Sequence, residues 1–97
     1  MKKYRLTRQA DQHLGDIYLY TAETFGRAQA DSYLQGFAAT FDLLADNPRM
    51  GRATDHVRPG LRRHEHAGHV IFYRETGEGL LIVGVIHSRR RPEFELD

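Results

Sequence analysis

Apolar residues recur at helical spacing in a first long segment of the chain. Five of them step by three, four or seven positions, which predicts one apolar face of a helix from about Arg8 to Phe25. Thr7 precedes this segment and is of a residue type that caps helix N-termini, and Gly26 supplies a C-terminal stop. The predicted apolar face consists of Ala10, Leu14, Ile17, Tyr18 and Phe25.

A second segment has the clearest helical period in the chain. It ends at Asn47-Pro48, because the residue before a proline is pushed out of the α region. Only a few residues separate the two segments, so we expect them to form an antiparallel helical hairpin. The apolar face of the second helix consists of Ala30, Tyr33, Leu34, Phe37, Phe41, Leu44 and Ala45.

The hydrophobic period changes to two in the second half of the chain. Residues 61–66 and 69–74 alternate between apolar and polar, with a turn at residues 67–68 between them. Residues 80–86 follow a glycine-rich turn and form a continuous apolar run, as a strand covered on both faces would. Three strands joined by tight turns predict an antiparallel meander.

The remaining segments have no long period. Residues 3–6 alternate weakly and predict a short strand at the edge of the sheet, although the pattern does not identify its neighbour. Residues 47–60 predict a long loop, and loops of this length are often functional in compact domains. From about Pro92 the tail is polar apart from Phe94 and Leu96, so we expect a partner to order it.

These elements predict one fold class for the whole chain. Their order is β-α-α-β-β-β, and a length of 97 residues suits a single domain over residues 1–97. We expect an α+β protein in which a helical hairpin packs on one face of a small antiparallel sheet.

Composition restricts the cellular compartment. Cysteine is absent, which excludes a disulfide framework and a thiolate zinc site and fits a reducing cytosol. No apolar run approaches the ~20 residues that a membrane span needs. The basic residues at the start are not followed by the apolar region of a signal peptide. We therefore expect a cytoplasmic protein without a membrane partner.

Basic residues are more frequent in the second half of the chain. The formal net charge of +1 combines five Lys or Arg against six Asp or Glu in residues 1–48 with nine against seven in residues 49–97. The run Arg89-Arg90-Arg91 closes the last apolar segment. Such a run can contact an anionic partner, or it can be a solvated end of a strand.

Five segments, in the same order, resemble the RelE/ParE superfamily of toxins, and the ParE branch most. Residues 43–52 look like the family's helix exit, and residues 83–90 are similar to its final strand and basic exit. Within that strand, Gly84 also indicates a bulge or a close backbone approach. The five segments are residues 4–7, 43–52, 59–63, 68–74 and 83–90.

The resemblance to ParE implies the toxin component of a type II toxin–antitoxin system. Such toxins bind and inhibit DNA gyrase, a protein-on-protein action that needs no catalytic residue and no cofactor. Guanidinium groups suit bidentate contacts with carboxylates or with the phosphates of gyrase-bound DNA. The basic exit, with the tail, is therefore the candidate target-binding site, and its residues are His87, Arg89, Arg90 and Arg91.

The second partner that the resemblance implies is a ParD-like antitoxin, which would hold the toxin in a heteromeric complex. Antitoxins of this type resemble ribbon-helix-helix DNA-binding proteins with a C-terminal segment that folds over the toxin, a mode in which a helix or strand enters a preformed groove. Candidate contacts are outer apolar residues of the hairpin, which can also be ordinary exposed surface, and cations of the meander. These candidates are Leu19, Tyr20, Phe25, Arg62 and Arg74.

Two alternatives to a gyrase-binding toxin stay open. Members of the RelE branch cleave mRNA on the ribosome with a base, a proton donor and cations. Arg62, Arg63 and the histidines 64, 66, 69 and 87 offer such groups, or they are solvent-facing strand residues. However, no tyrosine follows Tyr73, the only lysines lie at the start of the chain, and His87 falls about one residue out of register with the expected acid–base position. An inactive, antitoxin-bound relic is the other alternative.

A metal site has weak support in the sequence. His64 and His66 would share one face of a strand, and His87 is a third candidate ligand. Zinc requires three or four protein ligands and is normally supported by hydrogen bonds to those ligands. We therefore expect no metal.

Overall fold

The computed structural model describes residues 3–96 and confirms the α+β class. A hairpin of two long helices packs on one face of a five-stranded sheet, and a short third helix follows the last strand. In chain order the elements are β1 (Tyr4–Leu6), α1 (Arg8–Phe25), α2 (Arg27–Asp46), β2 (Arg52–Ala53), β3 (Arg62–His66), β4 (His69–Thr76), β5 (Gly79–His87) and α3 (Pro92–Glu95).

The helical hairpin has the predicted caps. The Thr7 side chain accepts a hydrogen bond from the Ala10 N–H at 3.0 Å, which begins α1. Gly26 ends α1 and begins α2 with a φ of 95°, a conformation that glycine adopts without a Cβ clash. Asn47 ends α2, and its N–H donates to the carbonyl oxygens of Leu43 and Leu44. One residue is therefore enough to connect two antiparallel helices.

The sheet contains the predicted meander and two further pairings. Strands β3, β4 and β5 are antiparallel neighbours in the order β1-β5-β4-β3-β2. The strand β1 lies parallel to β5, with Tyr4 opposite Leu80, which identifies the neighbour that the pattern left open. The strand β2 pairs with β3 inside the segment predicted to be a loop. Both residues of β2 are exposed, so they do not show the alternation of apolar and polar residues that would predict a strand. Their pairing with β3 is what defines them as a strand.

Two apolar clusters cover the two faces of the sheet, which confirms β5 as a strand buried on both faces. Most of the predicted helix faces point into the first cluster, but Phe25 and Leu34 are 67% and 41% exposed. Phe25 lies at the hairpin turn, and Leu34 lies on the outer side of the hairpin beside α1. Large residues between hairpin and sheet include Phe37, Phe41, Leu44, Ile71, Tyr73 and Ile82; those on the other face include Leu61, Val70, Phe72, Val83, Ile86 and Leu96.

The expectation that only a partner orders the tail is wrong, because the tail packs on its own chain. Leu96 is buried in the second cluster, and its carbonyl oxygen accepts a hydrogen bond of 3.0 Å from the Arg58 guanidinium. Gly84 allows this packing, since a Cβ there would overlap the Leu96 side chain. The register between β4 and β5 also shifts beside Phe72 and Tyr73, so the predicted bulge and close approach are both present. Across residues 3–96, no helix is long and apolar enough to cross a membrane.

Candidate functional site

The basic run lies in a turn that hydrogen bonds hold at the end of β5. The Ser88 N–H donates to the Gly68 carbonyl at 3.0 Å, and the Arg90 N–H donates to the His87 carbonyl at 2.9 Å. The Arg89 N–H donates to Nδ1 of the His87 ring at 3.1 Å. The turn therefore presents the four target-binding candidates together, and all of them are exposed.

The three arginines of this turn differ in their partners. The Arg90 guanidinium pairs with the Glu95 carboxylate at 2.6 Å, which connects the turn to α3. Among residues 3–96, no carboxylate pairs with Arg89 or Arg91. These two guanidinium groups are available to an anionic partner without breaking an ion pair.

A cavity of about 550 Å³ lies between α1, the end of β5 and the tail. Tyr20 lines it from α1, while His87 and Arg90 line it from the turn after β5. A candidate antitoxin contact and two candidate target contacts therefore share one cavity. Tyr20 is far from His87 and Arg90 in the sequence, and these residues come together only because α1 packs on β5. We call this space the shared cavity.

The N-cap Thr7 and side chains of α1 cover the edge of β5 that β1 leaves open. The strand β1 ends opposite Ile82, and beyond it the Val83 carbonyl accepts hydrogen bonds from Thr7 and Gln9 at 2.8 and 3.1 Å. The Val85 N–H donates to Nδ1 of His13 at 3.1 Å. Sequence reasoning missed Gln9 and His13, because polar residues outside the apolar face of a helix carry no distinguishing pattern.

His69 connects the meander to α2 and is not the solvent-facing residue that one reading of the sequence allowed. The Tyr33 hydroxyl donates to the Ala67 carbonyl at 2.5 Å and lies 3.0 Å from Nδ1 of His69. A hydroxyl has one proton, so the hydrogen-bond pattern assigns the Nδ1 proton to His69. The His69 ring also packs edge-on against Phe37, with 5.8 Å between ring centroids.

His66 makes a second connection of the same kind. The Thr40 hydroxyl donates to the Gly36 carbonyl at 2.9 Å and lies 3.2 Å from Nδ1 of His66, which again assigns the donated proton to the imidazole. The His66 ring packs against Phe37 at 4.9 Å between centroids. Of the histidines considered for acid–base chemistry, two thus join α2 to the β3–β4 hairpin.

Burial lowers the pKa of both imidazole rings. Burial lowers the pKa of His66, and the nearby His64 lowers it further. Burial is also the largest cause of the lowered pKa of His69; the Ala67 carbonyl opposes it, and His87 and His66 add to it. Both imidazoles therefore favour the neutral form in the folded chain. Within residues 3–96, no group of three or more His, Asp or Glu side chains is placed to hold a metal ion.

The antitoxin candidates do not form one continuous surface. Leu19 and Tyr20 are 59% and 66% exposed, but Tyr20 lines the shared cavity, whereas Leu19 faces a different depression of α1. Arg62 lies opposite Tyr73 on the hairpin side of the sheet and donates to the Gly51 carbonyl at 2.7 Å. Side chains alternate along a strand, so Arg74, which is exposed, points to the other face.

The depression beside Leu19 has a volume of about 440 Å³ and lies on the outer side of the helical hairpin. We call it the outer depression. Leu34 of α2 lines it together with residues of α1, so it spans both helices. Its lining residues are Asp11, Leu14, Gly15, Tyr18, Leu19 and Leu34.

Known proteins share this fold and much of this sequence. A solved chain of the chromosomal ParDE TA system from P. aeruginosa superposes with a TM-score of 0.74; the match covers 90% of this chain and 96% of the other at 23% identity, which shows the fold. Residues 4–92 match the family model of the ParE toxin of type II toxin–antitoxin system, parDE. Toxin ParE1 of Mycobacterium tuberculosis H37Rv is 42% identical over 88 residues, 90% of each chain. Toxin ParE1 of Caulobacter vibrioides is 39% identical over 96 residues, 99% of each chain.

These matches place the chain among the toxins of type II toxin–antitoxin systems. Within that class it belongs to the ParE toxin family.

Proposed function

We propose that this chain arrests growth by binding DNA gyrase in the cytoplasm through the turn after β5, and that a ParD-like antitoxin neutralises it. Membership of the ParE family supports the toxin class. The observation that carries the target site is the exposed turn in which Arg89 and Arg91 lack acidic partners among residues 3–96. Unpaired guanidinium groups contribute the most binding free energy at an anionic surface, because their new contacts replace no existing ion pair.

The proposed action is binding without bond cleavage. The guanidinium groups of Arg89 and Arg91 extend from a turn whose backbone is held by hydrogen bonds to Gly68 and His87. A fixed backbone reduces the ordering cost on binding, and the planar groups suit carboxylates of gyrase or phosphates of its DNA. This chemistry needs no catalytic residue and no cofactor.

An antitoxin segment that binds in the shared cavity would neutralise the toxin. A ribbon-helix-helix antitoxin whose C-terminal segment wraps the toxin would contact the exposed Leu19, Tyr20 and Phe25 of α1. Because Tyr20 lines the same cavity as His87 and Arg90, a segment covering Tyr20 would also cover the target-binding turn. The antitoxin would thus block gyrase directly in a heteromeric complex.

The test compares two triple substitutions. Changing Arg89, Arg90 and Arg91 to alanine should relieve growth arrest and weaken inhibition of gyrase supercoiling at least tenfold, since each lost charge-assisted contact is worth about 1.5–3 kcal/mol. The stability of the free chain should change by less than about 0.5 kcal/mol for Arg89 and for Arg91. It should change by at most about 1 kcal/mol for Arg90, which loses its exposed ion pair with Glu95. The matched control changes the exposed Arg5, Arg8 and Arg27 to alanine and should retain full inhibition.

Other outcomes would contradict the proposal. A prompt loss of protein synthesis with continuing DNA synthesis would indicate the ribosomal nuclease. Normal growth with the unmodified chain would indicate an inactive relic. Full toxicity of the triple variant of the turn would show that its arginines are only a solvated end of β5.

A further inference from the structure

Three arginines lie together on the face of the sheet that points away from the helical hairpin. Arg52 of β2 is directly opposite Arg63 of β3, and Arg63 is opposite Phe72 of β4, which belongs to the second apolar cluster. Residues opposite each other on neighbouring strands share a face, and so do residues two apart on one strand, which adds Arg74 to this face. We call Arg52, Arg63 and Arg74 the arginine row. It crosses three strands and ends at β2, the outermost strand of the sheet.

The arginine row has an excess of positive charge within the folded chain. Like charges directly opposite each other in a sheet are destabilising, and Arg52 and Arg63 form such a pair. A single carboxylate serves both, since Oε1 of Glu65 lies 3.5 Å from the Arg52 guanidinium and 3.6 Å from that of Arg63. Arg74 forms no ion pair among residues 3–96. Three cations and one carboxylate therefore leave two positive charges uncompensated.

Arg63 has hydrogen-bonding capacity that its own chain does not use. Its Nε is buried and donates to no acceptor within residues 3–96. The guanidinium lies over the Phe72 ring, 6.0 Å from the ring centroid, which limits its orientations. A depression of about 250 Å³ at the β2 edge is lined by Arg52, Arg63 and Glu65, among others. An anionic group in this depression would contact two guanidinium groups at once.

We propose that the arginine row binds the phosphate backbone of double-stranded DNA. The row lies on β2, β3 and β4, whereas the proposed gyrase-binding turn follows β5. Binding to DNA itself goes beyond the proposed function and does not require gyrase. A role for the row on the DNA that gyrase holds rests on the proposed function, because there it would add a DNA contact to the protein contact made by the turn.

Two observations favour duplex DNA as the occupant. Phosphates recur regularly along a nucleic-acid backbone, so guanidinium groups spread over three strands can contact several of them. Unpaired bases are typically held by stacking on exposed aromatic rings, but Phe72, the ring below Arg63, is only 1% exposed. A duplex needs no stacking ring, since phosphate contacts alone can position a protein on it.

The test measures fluorescence anisotropy of a labelled duplex of about 20 base pairs with the purified chain, without gyrase, between about 50 and 200 mM salt. Each phosphate contact contributes about 0.9 to the slope of log affinity against log salt. Three contacts should therefore lower the affinity about fortyfold over this range.

Two triple variants separate position from charge. Changing the whole arginine row to glutamine should weaken binding at low salt at least about tenfold and reduce the salt slope by about 2.7. The matched control removes the same charge at exposed residues elsewhere and should retain the affinity and the slope. Thermal melts verify the folding of both. The control changes Arg5, Arg8 and Arg27 to glutamine.

Two single variants keep the test independent of any loss of folding. Arg74→Gln changes an exposed side chain that forms no ion pair within residues 3–96, and it should reduce the salt slope by about 0.9. Glu65→Gln should strengthen DNA binding about two- to fivefold, because an exposed carboxylate no longer competes with the phosphates. Glu23→Gln, at an exposed residue of α1, should leave the affinity unchanged.

Failure of this proposal is distinguishable from failure of the proposed function. No binding of the duplex at about 50 mM salt, or equal affinities of the two triple variants, would overturn the arginine row as a DNA surface and leave gyrase inhibition by the turn untouched. Tighter binding of single-stranded RNA than of the duplex would show that the occupant is wrong. If the row variant loses DNA binding but the unmodified chain does not inhibit gyrase, the DNA surface stands and the gyrase part of the proposed function is wrong.

Discussion

The Tyr73 side chain explains why a proline and a glycine, Pro48 and Gly51, follow α2, where the sequence alone indicates only a turn. Its buried hydroxyl donates to the Pro48 carbonyl at 2.8 Å and accepts the Gly51 N–H at 2.8 Å. A Cβ at Gly51 would overlap this hydroxyl, so glycine is required there. The proline and glycine after α2 therefore belong to a loop segment that the Tyr73 hydroxyl connects to β4, which gives this tyrosine a packing role.

Tyr73→Phe should destabilise the chain by about 1–3 kcal/mol, because it leaves the buried Gly51 N–H without an acceptor. Tyr18→Phe is the matched control, since it removes an exposed hydrogen bond to Asp31 and should cost less than about 0.5 kcal/mol. Denaturant unfolding measures both free energies. Equal stabilities of the two variants would contradict the role assigned to the Tyr73 hydroxyl.

The hairpin and the meander are joined by polar contacts at one end of the sheet. Tyr33 and Thr40 of α2 contact His69 and His66 at the turn between β3 and β4. The sequence showed Tyr33 as part of a helical face and the two histidines as parts of alternating strands, but it indicated neither their pairing nor the role of Thr40. The contact depends on the angle between the helix and the strands, which local periodicity does not contain.

The stability of this junction should depend on pH. The folded state lowers the pKa values of His66 and His69 below 6.5, so folding favours their neutral forms. Their contribution is fully present above about pH 6.5 and is lost as pH falls below 6.5 through the lowered folded-state pKa values. The loss is at most about 1.4 kcal/mol per pH unit for each histidine, and solvent screening of the partly exposed rings reduces it.

Chemical unfolding at intervals between pH 7.5 and 5 measures this dependence. Changing His66 and His69 together to glutamine should flatten the fall in unfolding free energy relative to the unmodified chain. His56→Gln, a change at an exposed residue of the loop after β2, should leave the fall intact. An unchanged slope in the double variant would assign the pH dependence to other groups.

The whole molecule is organised around β5, which is buried on both faces and lies between β1 and β4. The hairpin covers one side through Phe37 and Phe41, and the loop before β3 and the tail cover the other through Leu61 and Leu96. A chain of 97 residues can form only a modest core, so each large buried side chain is a sizeable part of the total stability.

Phe37→Ala should destabilise the chain by about 3–5 kcal/mol, because it removes a fully buried ring between the hairpin and the sheet. In a domain of about 5–15 kcal/mol total stability, this loss can abolish folding. Phe94→Ala, at a residue that is 78% exposed, should change little. Thermal melting compares the two, and a nearly unchanged Tm for Phe37→Ala would contradict the core assignment.

Local pattern was sufficient for the helices, their caps and the meander. The bounds of α1, the cap at Thr7, the stop at Gly26 and the bulge beside Gly84 all follow from spacing, capping chemistry and the lack of a Cβ in glycine. The helix bounds and caps depend on interactions between residues close together in the chain, and the bulge was indicated by a glycine inside an apolar strand. The exposed arginines after β5 were also identifiable, since charge is a property of the residues themselves.

Contacts between distant segments required the three-dimensional structure. The parallel pairing of β1 with β5, the two-residue β2 and the burial of Leu96 each depend on a partner that lies far away along the chain. The same holds for the shared cavity, where α1 brings Tyr20 to His87, and for the arginine row, where β2 brings Arg52 to Arg63. Periodicity determines which face of an element is apolar, whereas packing determines which other element covers that face and which part of it stays open.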